Sequence, residues 1–212
     1  MSFFPKILDR TQKKALKALA PIMSREGFVL SGGTAAALQL GHRTSIDLDW
    51  LINGKLSDPI GLAARLQQAG TKFKTGHVAA GTLHGTASEV KVCFIEHRYP
   101  SISPVVSSED DTFQLASLDD LAAMKLLAIA QRGAKKDFVD IYALMQQHKP
   151  LPELIAGYKK KYLVNDASTV ATGLIYFDDA EHEEMPQMIW KVDWNLVKKT
   201  ISKAVASLVK PT

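Results

Sequence analysis

The feature that most constrains this chain is a glycine pair flanked by hydroxyls, Ser31-Gly32-Gly33-Thr34, followed thirteen residues later by Asp47-Leu48-Asp49. The short apolar run Phe28-Val29-Leu30 before it reads as a buried strand, and the glycines as a tight turn into a helix. Small residues over 35–40 predict that helix, with Gly41 closing it. The stretch 46–52 predicts a second strand, Ile46, Leu48 and Trp50 on its core face and both acids on the other. Alternate residues of a strand point the same way, so Asp47 and Asp49 should converge, about 6–7 Å apart at Cα. Glycines let backbone N–H groups approach a phosphate closely, and a helix start adds the positive end of a dipole. Two hard oxygen donors opposite such a turn suit magnesium carrying a nucleoside triphosphate.

Around this motif the pattern is α, then mixed β/α, then helices. Residues 7–25 predict a helix with Leu8, Leu16, Leu19 and Met23 inward, bent or interrupted at Pro21 and ended by Gly27. Asp58-Pro59 opens a helix to about residue 69. Residues 71–96 predict two or three strands with turns at Gly76, Gly81 and Gly85. The clearest, 89–94, places Glu89, Lys91 and Cys93 on one face. Ser117-Leu118-Asp119-Asp120 is similar to a capping box and starts a helix to Gln131. A break at Gly133 precedes a further helix over 135–147, and Pro150 and Pro152 mark a boundary. Glu181-His182-Glu183-Glu184 reads as a solvated loop, and Val197, Ile201, Val205 and Leu208 as the inner face of a last helix. The fold expected is therefore α+β: a mixed-sheet lobe over 1–112 and a helical lobe over 113–212, a nucleotide lying in the cleft between them.

Composition narrows the setting. Cys93 is the sole cysteine of the 212 residues, so an internal disulfide is impossible and a cytoplasmic location is expected. Apolar runs stop well short of the ~20 residues of a membrane span. Net charge is +4, which permits a nucleic-acid partner without demanding one. The basic runs near Lys13, Lys135, Lys159 and Lys198 read mainly as solvated helix faces. No Walker lysine follows the glycines, which excludes a P-loop NTPase.

The glycine pair and Asp-x-Asp resemble the signature of the polymerase β-like nucleotidyltransferase superfamily. More narrowly, Ser31 to Thr34, continued by Gly41-His42-Arg43-Thr44-Ser45-Ile46-Asp47-Leu48-Asp49, resembles the AbiEii/AbiGii toxins of bacterial type IV toxin–antitoxin systems. A second block, residues 121–144 with Lys125, Arg132, Lys136, Asp137 and Asp140, resembles the same family. The resemblance implies magnesium-dependent transfer of a nucleoside monophosphate from an NTP to an acceptor hydroxyl. RNA such as the tRNA 3′ end would be the acceptor, and a separately encoded antitoxin the partner. Asp47 and Asp49 would hold the metal, and Lys125 and Asp137 would act in catalysis. Ser31, Gly32, Gly33, Thr34, Arg43, Ser45, Arg132 and Asp140 would bind the nucleotide. Lys125 and Arg132, seven residues apart, fall within about 20° on one helical face. One departure stands out: many superfamily members carry a third carboxylate on a neighbouring strand, where this chain offers Cys93. Glu89 substitutes, or Asp137 completes the site, or a single metal serves. Two other readings stay open here, a non-catalytic nucleotide- or RNA-binding protein and a phosphotransferase using the same site.

Overall fold

The computed structural model describes residues 3–108, 110 and 112–208. A 3₁₀ turn at Pro5–Ile7 leads to helix α1 (Arg10–Glu26), whose start is a reciprocal capping box. The Asp9 carboxylate accepts from the Gln12 N–H, and the Gln12 side chain accepts from the Asp9 N–H. Leu8 is buried but precedes the helix, and the expected interruption at Pro21 is absent. Proline removes one intrahelical hydrogen bond there, and burial of Leu16, Leu19, Ala20, Ile22 and Met23 around it holds the helix together.

Gly27, at φ 78°, turns the chain into β1 (Phe28–Ser31). Helix α2 (Gly32–Leu40) follows at once, beginning at the glycines rather than at residue 35. Strand β2 (Leu48–Asn53) returns antiparallel to β1, and α3 (Pro59–Gln68) starts where Asp58 accepts from the Gly61 N–H. A meander follows, of β3 (Phe73–Ala79), β4 (Thr82–Ala87) and β5 (Val90–His97), with β5 lying parallel to β2. Short β6 (Val106–Ser107) and β7 (Gln114–Leu115) complete a seven-stranded sheet of order β3-β4-β5-β2-β1-β7-β6. The helical part comprises α4 (Leu118–Gln131), α5 (Lys135–Gln147), α6 (Leu151–Tyr162), α7 (Ser168–Gly173), α8 (Asp178–Glu181) and α9 (Trp194–Leu208). None of the described helices is long and apolar enough to cross a membrane.

Strand alternation divides the sheet into two faces. Leu30, Trp50, Phe94 and Leu83 are aligned across four strands, all without exposed surface, and edge-to-face rings at Phe28–Phe94 and Phe73–Phe94 fill the space beside them. The next row, Ser31, Asp49, Cys93, His84 and His77, points the other way.

Several expectations need correction. Gly76 and Gly85 lie inside β3 and β4, and only Gly81 sits in a turn. The β4–β5 turn is Ser88-Glu89, at φ 48° and 72°, because a two-residue hairpin joining Ala87 to Val90 requires left-handed backbone at both positions. Glu89 thus stands at a hairpin tip and cannot supply a carboxylate beside Asp49. Lys161, placed by its neighbours in a solvated run, is 1% exposed and donates to Asp120 Oδ1 (2.7 Å) and the Pro100 carbonyl (3.1 Å). Ser117 Oγ does cap α4 through the Asp120 N–H and donates back to Asp120 Oδ2 (2.7 Å), and the same carboxylate also serves Lys161 and the N–H groups of Ile102 and Ser103. On α9, Val197, Ile201 and Val205 are buried, while Leu208 in the last turn is 37% exposed.

Candidate active site

The β1–α2 junction leaves its backbone donors available. Ser31 is the residue before α2 and makes no capping hydrogen bond with its side chain, so the first N–H groups of the helix keep their capacity for a ligand. Gly32 sits at φ 65°, and a Cβ there would lie 2.2 Å from Asp49 Oδ2. A Cβ at Gly33 would lie 2.6 Å from Arg43 Nη2 and 3.1 Å from Ser45 Oγ. The glycines therefore let a carboxylate and a guanidinium close on the turn from two sides. Gly32→Ala combines left-handed strain with a carboxylate clash. Its expected result is loss of activity by about 10²-fold or more, since displacement by about 1 Å in an active site has that scale. Steady-state kinetics alongside the circular dichroism spectrum would check it.

Asp49 lies in β2, in register with Ser31 on one side and Cys93 on the other. Asp47 precedes the strand, which begins at Leu48 and not at Ile46. Ladder pairing with β5 starts only there, so residues 44–47 form a loop and Ile46 is 70% exposed instead of facing the core. Asp47 nevertheless borders the same cavity as Asp49, and its charge, after burial, is the second reason the Asp49 carboxyl is pushed above its ordinary range. The buried Thr34 hydroxyl donates to the Asp47 carbonyl; it fixes this loop instead of facing a phosphate. Ser31 is likewise buried, its hydroxyl 3.8 Å from Met124 Sδ.

The neighbouring-strand position where a third acid was sought is held by Cys93. Burial, then Asp49 and Asp47, push its thiol up to about 12, and His84 Nε2 lies 3.6 Å from its sulfur. This thiol stays protonated and takes no proton from a substrate. Among the described residues no three His, Cys, Asp or Glu side chains are grouped so as to hold a metal ion.

The opposite wall is cationic. Lys125, Arg132 and Lys136 border the cavity with Gly32, Gly33, Arg43, Ser45 and both acids, enclosing about 350 Å³. Below them lies a buried ionic network. Asp140 accepts from Arg43 Nε (2.6 Å) and Nη2 (2.8 Å), takes Lys125 Nζ at 2.6 Å, and faces His42 Nε2 at 2.8 Å. Asp137 takes Lys125 Nζ at 2.7 Å and Arg132 Nη2 at 3.0 Å. Burial alone would push the Asp140 carboxyl up, but Lys125 and Arg43, with hydrogen bonds from His42 and Arg43, hold it well below the ordinary range. Burial opposes the Lys125 charge in turn, and Asp140 and Asp137 more than offset it, so its pKa is raised. Asp137 and Asp140 have no exposed surface and stand behind the cavity wall. Lys125, Arg132, Asp137, Asp140 and Arg43, distant in sequence, are thus one cluster. His42, at its centre, was missed as a site residue, and its place beside Arg43 was the available signal.

The last third of the chain adds a wall that no motif announces. The Thr44 N–H donates to the Gln187 carbonyl (2.9 Å), and the N–H groups of Ile189 and Trp190 donate to the His42 carbonyl (2.9 and 3.1 Å). Lys135, also buried, anchors the preceding segment: its N–H donates to Glu183 Oε2 (2.7 Å) and its ammonium to the carbonyls of Glu181 and Glu183. Glu181 belongs to α8, so the acidic stretch is partly helical and tied down rather than a free loop. Pro186 and Gln187 thereby border the cavity.

A glycine turn against one strand-borne and one loop-borne carboxylate in a mixed sheet, sharing a cavity with three cations, suits a nucleotidyltransferase. The chain belongs to the family described as "Nucleotidyl transferase AbiEii toxin, Type IV TA system", which matches residues 14–207 and bears out the resemblance read from the two motif blocks. It is accordingly an enzyme of the toxin class, and the reading as a non-catalytic binding protein falls away. It is 34% identical over 178 residues to an uncharacterised Aquifex aeolicus protein, covering 83% of this chain and 86% of that one. The fold is similar to MenT4, a nucleotidyltransferase toxin of Mycobacterium tuberculosis, with a TM-score of 0.57 at 13% identity over 95% of this chain and 85% of that one. A Helicobacter pylori protein gives 0.52 at 17% identity, over 95% and 96%. At those identities the two structures speak for the fold alone.

Proposed function

We propose that the cavity binds a magnesium–NTP and transfers its nucleoside monophosphate to a hydroxyl of RNA, the tRNA 3′ end being the expected acceptor. In the cell this activity would be cytoplasmic and restrained by a separately encoded antitoxin. The observation that carries the reading is that Asp47, Asp49, Gly32 and Gly33 share one cavity with Lys125, Arg132 and Lys136, whose charges act on the Asp49 carboxyl.

Two carboxylates without further protein donors suit magnesium, which keeps waters and takes substrate phosphate oxygens for its remaining positions. Asp47 and Asp49 would hold it, and its charge would offset negative charge gathering on the phosphoryl oxygens. The chain's own groups do the rest. Backbone N–H groups at Gly32 and Gly33, with the Nη2 end of Arg43 beside Gly33, receive the departing phosphates, while Arg43 Nη1 is held by the Thr44 carbonyl (2.8 Å). Lys125, Arg132 and Lys136 neutralise them from the other wall. The acceptor oxygen bonds to the α-phosphorus as the bridging oxygen to the β-phosphorus departs with pyrophosphate. The hydroxyl proton leaves to solvent.

Incubation with total bacterial RNA and either α- or γ-labelled NTP tests this. Label retained on RNA from the α position alone is expected. Label from the γ position alone would replace nucleotidyl transfer with phosphotransfer, and no label on RNA from either would remove the RNA acceptor.

A further inference from the structure

Among the residues bordering the cavity, Ile46, Pro186 and Gln187 hold neither phosphate nor cation. Ile46 is the residue that left its expected place in the core, and it stands exposed beside Asp47 in an otherwise polar cleft. Pro186 supplies a second apolar, rotationally rigid surface. Gln187 is fixed twice from the loop that carries Ile46: its carbonyl accepts from the Thr44 N–H at 2.9 Å, and its Oε1 accepts from Thr44 Oγ1 at 3.3 Å. Its side-chain NH₂ has no partner among the described residues. With the amide in this orientation, its two N–H donors are left for whatever enters.

We infer that Ile46 and Pro186 form the slot for the nucleobase of the NTP, and that Gln187 selects the base by donating to an acceptor on its edge. The inference rests on the nucleotide reading above and deepens it. A flat aromatic base satisfies both features of this wall at once, burying its face against the apolar pair and pairing its edge with the amide. A triphosphate alone would use neither. Because Gln187 donates, bases with a carbonyl at the purine 6 or pyrimidine 4 position (guanine, uracil) are favoured over those with an amine there (adenine, cytosine), which would set donor against donor.

Titration calorimetry of ATP, GTP, CTP and UTP with magnesium, on wild type and variants, tests the slot apart from transfer. Wild type is expected to bind GTP and UTP about tenfold tighter than ATP and CTP, the scale of a good base-edge contact. Gln187→Ala should bring the four affinities within about twofold of one another, and Gln187→Glu, an acceptor of the same shape, should shift preference toward ATP and CTP. Ile46→Ser should weaken all four alike. Equal affinities in wild type, or a base preference that survives Gln187→Ala, would overturn the inference. Gln187-dependent selection without labelled RNA would leave the slot standing and remove the RNA acceptor instead.

Discussion

Asp49→Asn is expected to lower nucleotide transfer by about 10³-fold or more, the scale of removing a group that offsets transition-state charge, while making the metal-free protein more resistant to heat. The two halves have one cause. The Asp49 carboxylate is enclosed by the sheet and Gly32, carries no hydrogen bond among the described residues, and is pushed above the ordinary range by burial and by Asp47. A carboxyl with a raised folded pKa helps the fold only in its protonated form, below its unfolded value. That contribution is gone once pH has risen through the folded value. At neutral pH the wild-type protein therefore carries an unfavourable charge that the isosteric amide does not. Thermal unfolding at pH 7 without added metal would show the variant melting at or above wild type, and the difference should vanish in acid. A variant that melts clearly lower, or that keeps its activity, would make Asp49 a structural group and leave the site without its main cation ligand. Destabilised function-bearing groups of this kind are expected where activity and stability compete.

What the sequence discloses and what it hides divide along one physical line. The β1 run, the turn, Gly41 and the Asp58-Pro59 helix start are encoded within a few residues, because turns and caps depend on local backbone and side-chain chemistry. Asp49 was legible for the same reason, through strand alternation. Asp47 was legible in position but not in conformation. Its apolar neighbour Ile46 reads as strand, yet pairing with β5 decides where the strand begins. Glu89 fails similarly: alternation continues through it on paper, while the hairpin needs a turn at Ser88-Glu89. Lys161 and Lys135 look solvated because each finds its partners far along the chain, at Asp120 and at Glu181 and Glu183. The wall at Pro186 and Gln187 was least accessible, since its link to Thr44 spans 143 residues and leaves no periodic trace. The ionic cluster sits between these extremes. Spacing put Lys125 and Arg132 on one helical stripe, but only the packed structure makes Asp140 the anchor for Arg43 at the glycine turn.

That anchor supports the prediction with the largest effect on the fold. Asp140→Asn is expected to lower stability by about 3–5 kcal/mol, the cost of leaving buried charge without its partner. For a chain of this size that is roughly 6–20 °C in melting temperature. Arg43 and Lys125 would remain enclosed, with Asp137 alone among the carboxylates of the cluster to balance them, and the new amide would turn N–H donors toward groups that can only donate. Asp137→Asn should cost less, because one of its two cations, Arg132, has a 60% exposed side chain and can return to water. The pH dependence has a definite sign. The Asp140 carboxyl is held well below its ordinary range, so its contribution is complete above the unfolded value near 3.8 and is lost as pH falls toward the folded one. Urea unfolding should therefore show the wild-type advantage over Asp140→Asn at pH 7 and a narrowing gap below about pH 4. Adding Lys125→Met to Asp140→Asn should recover part of the stability, since it removes a stranded cation while keeping the volume filled. Recovery of fold in that double variant would isolate the core-holding duty of the cluster, while NTP binding should stay weak, since both the aim of Arg43 and the Lys125 charge are lost. A single variant as stable as wild type, with the same urea midpoint at both pH values, would show that the network bears no load and that Arg43 is positioned by other contacts.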